Sequence, residues 1–259
     1  MAMTSEDALP PASSSRGRRA LRRALYEAKI AAAANRALAL PAARLRRHGV
    51  LVAAPGVEVL IEGYPRSANS FAVAAFARAQ GWPGSGGGRI AHHTHAPAHV
   101  LEAVRRGIPS IVLIRDPADA VLEFLLVKPD LTPRQGLRGY IRFYEPLLPH
   151  RSGFVIGPFE EVTTDLGRVI VRLNARFGTS FAPFEHTSGH EREVFEEMDG
   201  YWRGQVGSGA DLERFVGRPS DVREGWKARL RPGYEDQSLA AVRARAVRIF
   251  ESFREGNAA

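Results

Sequence analysis

The feature that most constrains this chain is a junction between a buried strand and a helix start. A short apolar run stops, a polar loop with one arginine follows, and a helical pattern begins. The first instance is VEVLIEGYPRSANSFAVAAF, Val57 to Phe76. The run Pro109–Ile114, PSIVLI, has the unbroken apolar character of a strand buried on both faces. It is followed at once by Arg115-Asp116-Pro117, where Asp116 reads as an N-cap and Pro117 as the first helical residue. Strands alternating with helices imply a parallel sheet.

Read in order, strands are expected at Val57–Glu62, Arg89–His95, Pro109–Ile114 and Phe154–Gly157. Helices are expected at Ala68–Gln80, Pro97–Arg106, Pro117–Val127, after Pro133 and across Val162–Phe177. The last third reads as helix and loop. The glycine-rich loop Trp82–Gly88 reads as mobile.

Charge divides the chain in two. Residues 1–50 hold ten arginines or lysines against three acids, which is +7 of the net +8. The remaining 209 residues are nearly neutral, with 26 bases against 25 acids. The basic character therefore belongs to an arm and not to the domain. The expected division is a basic N-terminal extension over 1–50 and one α/β domain over 51–259. Residues 1–15 read as disordered. From Arg16 to about Leu40 the pattern is a cationic helix. It suits either loose packing on the domain or contact of residues 16–47 with a membrane surface. No apolar run approaches the ~20 residues of a membrane span. Cysteine is absent, which excludes disulfides and thiolate metal sites and fits a cytoplasmic location.

In parallel α/β sheets, ligands gather outside the carboxyl ends of the strands. Three strand ends carry polar residues. The first presents Arg66, Ser67, Ala68, Asn69, Ser70 and Phe71 at a helix N-terminus, where unpaired amides and the helix dipole favour an anion. An ordinary strand-to-helix turn with a surface arginine remains the alternative. The loop lacks the GxxxxGK[ST] pattern, which argues against a magnesium-nucleotide hydrolase. The second strand end presents His93 and His95, expected on one strand face. They suit a general base, a metal pair or a structural cap; no third ligand is near in sequence, so no metal is expected. The third presents Arg115, a second place for an anion. Two anion sites with a histidine between them suit a ligand with phosphates at both ends.

These segments resemble the family of sulfotransferases that use 3′-phosphoadenosine 5′-phosphosulfate (PAPS). Gly63-Tyr64-Pro65-Arg66-Ser67-Ala68-Asn69-Ser70-Phe71 resembles the family's 5′-phosphosulfate loop. His93-Thr94-His95-Ala96-Pro97 resembles its catalytic-histidine segment, Arg115-Asp116-Pro117-Ala118-Asp119 its 3′-phosphate motif, and Phe159-Glu160-Glu161-Val162 a later strand-following segment. Gly217-Arg218 through Gly225-Trp226-Lys227 loosely resembles its C-terminal region. The matches run in the family's order over roughly residues 57–230.

The resemblance implies a three-layer, P-loop NTPase-like α/β fold with a helical C-terminal part. It implies transfer of a sulfuryl group from PAPS to a hydroxyl or amine, without a metal. Arg66 would hold the 5′-phosphate and bridging oxygen, and the Ser67–Phe71 amides with the Ser70 hydroxyl would cradle the phosphosulfate. His95 would be the base, His93 would stand in for a lysine beside the transferring group, Arg115 would hold the 3′-phosphate, and Arg218 would help bind the nucleotide. The acceptor would be a small molecule, lipid or carbohydrate, entering between the Trp82–Gly88 loop and the Glu185–Trp202 segment. No nucleic-acid partner is expected.

Three departures accompany the match. Ala68 stands where the loop has glycine, and alanine is strained there if φ is positive. His93 is a weaker cation than lysine. Glu123 stands where the family has a serine that donates to the 3′-phosphate; a carboxylate 4 Å from a phosphate charge repels it by roughly 4 kcal/mol at an effective dielectric near 20. Glu123 pairing with Arg115 would close that site, whereas Glu123 turned to solvent would leave it open. The alternative function is accordingly a sulfotransferase-fold binding protein with impaired catalysis.

Overall fold

A computed structural model describes residues 15–46, 52, 54–84 and 86–255. The expectation of disorder over residues 1–15 lies outside the described residues except at Ser15, which caps the first helix by accepting from the Arg18 amide.

The sheet has four parallel strands in the order β2-β1-β3-β4. They are β1 (Val59–Gly63), β2 (Ile90–His92), β3 (Ser110–Ile114) and β4 (Val155–Pro158). The central pair is in register from Leu60 opposite Ser110 to Gly63 opposite Leu113. Every residue of β1 and β3 is buried, which explains why both read as nearly continuous apolar runs. The exception within β1 is Glu62, fully buried.

Neighbouring side chains of each strand point to opposite faces, and two apolar layers result. Leu60, Val112 and Ile114 pack with α5 (Pro117–Val127), α6 (Pro133–Tyr144) and α11 (Ala240–Glu255). Val59, Ile61, Ile111 and Leu113 pack with α3 (Asn69–Ala79), α7 (Phe159–Phe177) and α8 (Ser188–Val206). Between these elements run α4 (Pro97–Arg106), α9 (Ala210–Phe215) and α10 (Asp221–Glu235). No described helix is long and apolar enough to cross a membrane.

The N-cap expected at Asp116 forms: its carboxylate accepts from the Ala118 and Asp119 amides at 2.8 and 3.2 Å. The cationic stretch is two helices rather than one, α1 (Arg16–Ala32) and α2 (Arg36–Arg46). Asn35 starts the second by accepting from the Ala37 amide at 2.9 Å. α1 lies on the domain. Arg22 pairs with Asp130 at 2.6 Å, Glu27 with Arg138 at 3.2 Å, and Tyr26 packs on Phe124. Leu21 and Leu25 remain exposed on its outer side.

The second strand is shorter than the sequence suggests. β2 ends at His92, because His93 and His95 take φ of 59° and 49°. Left-handed residues cannot continue a strand, so the shared strand face expected for the two histidines does not exist.

Candidate anion-binding site

The chain goes from β1 out to β2 and then back past β1 to β3. The crevice at that reversal, outside the carboxyl ends of β1 and β3, is where such sheets hold ligands. Arg66 follows β1 and Arg115 follows β3. The Arg115 guanidinium donates to the Arg66 carbonyl at 3.0 Å. Gly63 makes the approach possible: a Cβ there would stand 2.7 Å from the Leu113 carbonyl oxygen.

Tyr144 ties the two strand ends together. Its hydroxyl donates to the Leu113 carbonyl at 2.7 Å and accepts from the Tyr64 amide at 3.2 Å. Ser67, fully buried, reaches the same hydroxyl at 3.3 Å. Asn69 folds back and donates to the Tyr64 carbonyl at 3.0 Å.

The loop that follows is strained. The described residues other than glycine with positive φ are four: Arg66 (72°), Ala68 (65°), His93 (59°) and His95 (49°). All four lie at the ends of β1 and β2. Such conformations persist where surrounding structure enforces them, and they cluster at functional sites. Ala68 is the N-cap of α3 and makes no side-chain cap. The first amides of α3 therefore open toward the crevice with the positive end of the helix dipole.

Cations crowd the same place. Arg66 donates to the Phe215 and Val216 carbonyls at 2.9 and 3.2 Å and to Glu123 at 3.3 Å. Arg223, nearly inaccessible, contacts Glu123 and donates to the Glu213 carbonyl at 2.8 Å. Lys227 lies 3.8 Å from Glu123, 3.6 Å from Asp119 and 2.5 Å from Glu224. Arg115 stacks over Phe159 at 3.9 Å, and its Nε is buried without a hydrogen-bond partner among the described residues. Burial, then Arg115, pushes Arg66 down to about 10. Burial, then Arg66 and Arg115, pushes Arg223 down to about 8, even with Glu123 in contact. Burial is the larger cause for both guanidiniums, and their mutual repulsion adds to it.

Glu123 is buried among these cations, not turned to solvent, and its partners are Arg66, Arg223 and Lys227 rather than Arg115. Arg218 follows Gly217, which adjoins Arg66, but its guanidinium turns to Glu213 at 2.9 Å and Asp199 at 3.4 Å. Phe71 faces α8 and its approach, with ring centroids 5.5 Å from Phe195 and 5.8 Å from His186.

The histidines meet through the irregular backbone. The His93 and His95 rings lie edge to face at 5.7 Å. His93 Nε2 is 3.2 Å from Ser70 Oγ, and His93 Nδ1 is 2.5 Å from His92 Nδ1. His95 Nδ1 donates to the Gly63 carbonyl at 2.8 Å, which leaves Nε2 as the nitrogen with a lone pair. No cluster of three metal-ligating side chains is found among the described residues.

Sequence reasoning missed Glu62 and Tyr144, and it gave no role to Arg223 and Lys227 although both fall in the segment likened to the family's C-terminal region. Glu62 carried a signal: a carboxylate inside a fully buried strand must find donors. Arg223 and Lys227 are four apart on one helix and so share a face.

Fold and site together define a parallel α/β protein with a cationic, amide-rich crevice at its topological switch point. No protein-family profile, curated protein or solved structure matches the chain.

Proposed function

We propose that the chain is a PAPS-dependent sulfotransferase of P-loop NTPase-like fold. The observation that carries this reading is the meeting of Arg66, Arg115, Arg223 and Lys227 around the open start of α3, with an imidazole nitrogen presented nearby. Four converging cations, an Arg115 Nε without a hydrogen-bond partner among the described residues and the uncapped start of α3 suit a ligand bearing several phosphate or sulfate charges.

In this reading the helix amides and Arg66 hold the 5′-phosphosulfate, and Arg115 with Arg223 and Lys227 holds the 3′-phosphate. The acceptor oxygen or nitrogen attacks sulfur. Its proton passes to His95 Nε2 as the new bond forms. The bond from sulfur to the bridging oxygen breaks, and its electron pair leaves on adenosine 3′,5′-bisphosphate. The transferring group carries dispersed negative charge, so positioning and fixed positive charge supply the catalysis. His93, held by Ser70, lies beside that path.

Glu123 favours a second reading, a protein of the same fold that binds without transferring. A buried carboxylate already satisfies part of the cation cluster, and a 3′-phosphate must compete with it.

The deciding experiment supplies PAPS labelled in its sulfate to the protein with pooled hydroxyl- and amine-bearing lipids, sugars and phenols. Transfer of label, reduced at least about 100-fold by His95→Ala, is the expected result. Tight nucleotide binding with no transfer to any pool would favour the second reading.

A further inference from the structure

Glu62 is the one charged residue in the buried run of β1. It points across to the segment after β2 and collects four donors. Oε1 accepts from the Thr94 amide at 2.6 Å, the Thr94 hydroxyl at 2.8 Å and His99 Nδ1 at 3.3 Å. Oε2 accepts from the His95 amide at 3.2 Å. A carboxylate so placed is stable only with its donors in position, and donors held this way are themselves immobile.

His99 extends the network. It is fully buried, and its Nε2 accepts from the Val52 amide at 2.6 Å. Its hydrogen is therefore on Nδ1, directed at Thr94 Oγ1 (3.0 Å) and Glu62. The two amides bound by Glu62 belong to Thr94 and His95, consecutive residues within a turn whose ends, His93 and His95, are left-handed at 59° and 49°. Each bound amide thus helps hold a backbone conformation that side-chain-bearing residues adopt only when forced. That conformation brings His95 Nδ1 to the Gly63 carbonyl, the residue next to Glu62, and within 3.7 Å of Glu62 Oε2.

We propose that Glu62 is the positioning residue for His95: its carboxylate folds the Thr94–His95 turn, fixes the Nδ1–H form of the ring and so keeps the basic lone pair on Nε2. The role assigned to that proton rests on the sulfotransferase reading, while the orientation of the ring does not. When Nε2 takes a proton the ring becomes a cation with Glu62 beside it. A buried carboxylate next to an imidazole stabilises the imidazolium without itself accepting the proton. The groups that bear on the ring's charge are Glu62 from β1, His93 from the same turn, His99 from α4 and, through Glu62, Tyr144 from α6.

The test is long-range proton–nitrogen NMR of His95 in the full chain, with Glu62→Gln as the variant, and it needs no nucleotide or acceptor. Wild type is expected in the Nδ1–H form at neutral pH. Glu62→Gln is expected to shift the ring toward the Nε2–H form and to lower its titration midpoint by about one unit, a tenfold change. A wild-type ring in the Nε2–H form overturns the proposal without any variant. So does a folded Glu62→Gln protein with unchanged form and midpoint, since a purely structural Glu62 would behave that way. Should Glu62→Gln not fold, Thr94→Val removes one donor of the network. A shifted His95 equilibrium then supports the proposal and an unchanged one overturns it. Failure of adenosine 3′,5′-bisphosphate to bind would sink the donor reading and leave these spectra as they are.

Discussion

Arg66 and Arg115 leave adjacent strands, β1 and β3, and meet where the strand order reverses, the guanidinium of one on the carbonyl of the other at 3.0 Å. Two half-buried arginines are held together there by backbone and not by a shared acid. That relationship organises the site and leads to the following expectations.

Removing Glu123 should expose the charge imbalance. Breaking a buried pair and leaving its partner charged costs about 3 kcal/mol, and here Arg66, Arg223 and Lys227 all lose the carboxylate. Glu123→Gln should melt well below wild type in low-phosphate buffer. Adenosine 3′,5′-bisphosphate should restore most of the loss, because its phosphates replace the missing charge. Equal melting temperatures without ligand would show that Glu123 is not a counter-ion.

Ala68→Gly should stabilise the protein. Alanine at φ 65° occupies the left-handed region at a cost of about 1 kcal/mol relative to glycine. Part of the gain is lost to the greater freedom of glycine in the unfolded chain. Urea denaturation should give a net increase of roughly 0.5 kcal/mol. A decrease would mean that the alanine methyl makes contacts worth more than the strain.

Acid stability should depend on Glu62. Burial pushes its carboxyl up, but the His99 hydrogen bond, the charge that His95 takes on in acid and the Thr94 amide outweigh burial and bring it down to about 2. A carboxyl lowered in the folded state contributes stability that is complete above its unfolded value near 4.5 and is lost as pH falls from there toward 2. The amount is on the order of 3 kcal/mol. Glu62→Gln should flatten the pH dependence of the melting temperature between those limits. An unchanged slope would place the acid-sensitive group elsewhere.

Docking of α1 should fail on enlarging Gly139. A Cβ there would stand 2.0 Å from the Tyr26 hydroxyl oxygen. Gly139→Ala should therefore displace Tyr26 and open α1 to limited proteolysis while the sheet core stays protected. Unaltered cleavage would show that the Arg22–Asp130 and Glu27–Arg138 pairs hold α1 unaided.

Much of the architecture could be read from the residues, because buried parallel strands and capped helices leave local signatures. Ile111–Ile114 is apolar because both faces are covered, and Asp116-Pro117 marks its helix start by chemistry that acts within three residues. The strand ending at His92 misled for the opposite reason. Its alternation continues in sequence to His95, while the backbone turn there is held by Glu62, 32 residues before Thr94 and one strand across. The same holds for Glu123. Its type flagged a conflict with a phosphate, but its choice of Arg223 and Lys227 depends on how α10 packs on α5, which no local pattern records.

The measurement that bears most directly on the account is calorimetric titration of adenosine 3′,5′-bisphosphate into wild type and Glu123→Ser. The product nucleotide is stable and needs no acceptor. Binding by wild type in the micromolar range, tightened about tenfold or more when the carboxylate is replaced by a hydroxyl donor, is the predicted result. No binding by either protein up to millimolar nucleotide would contradict it.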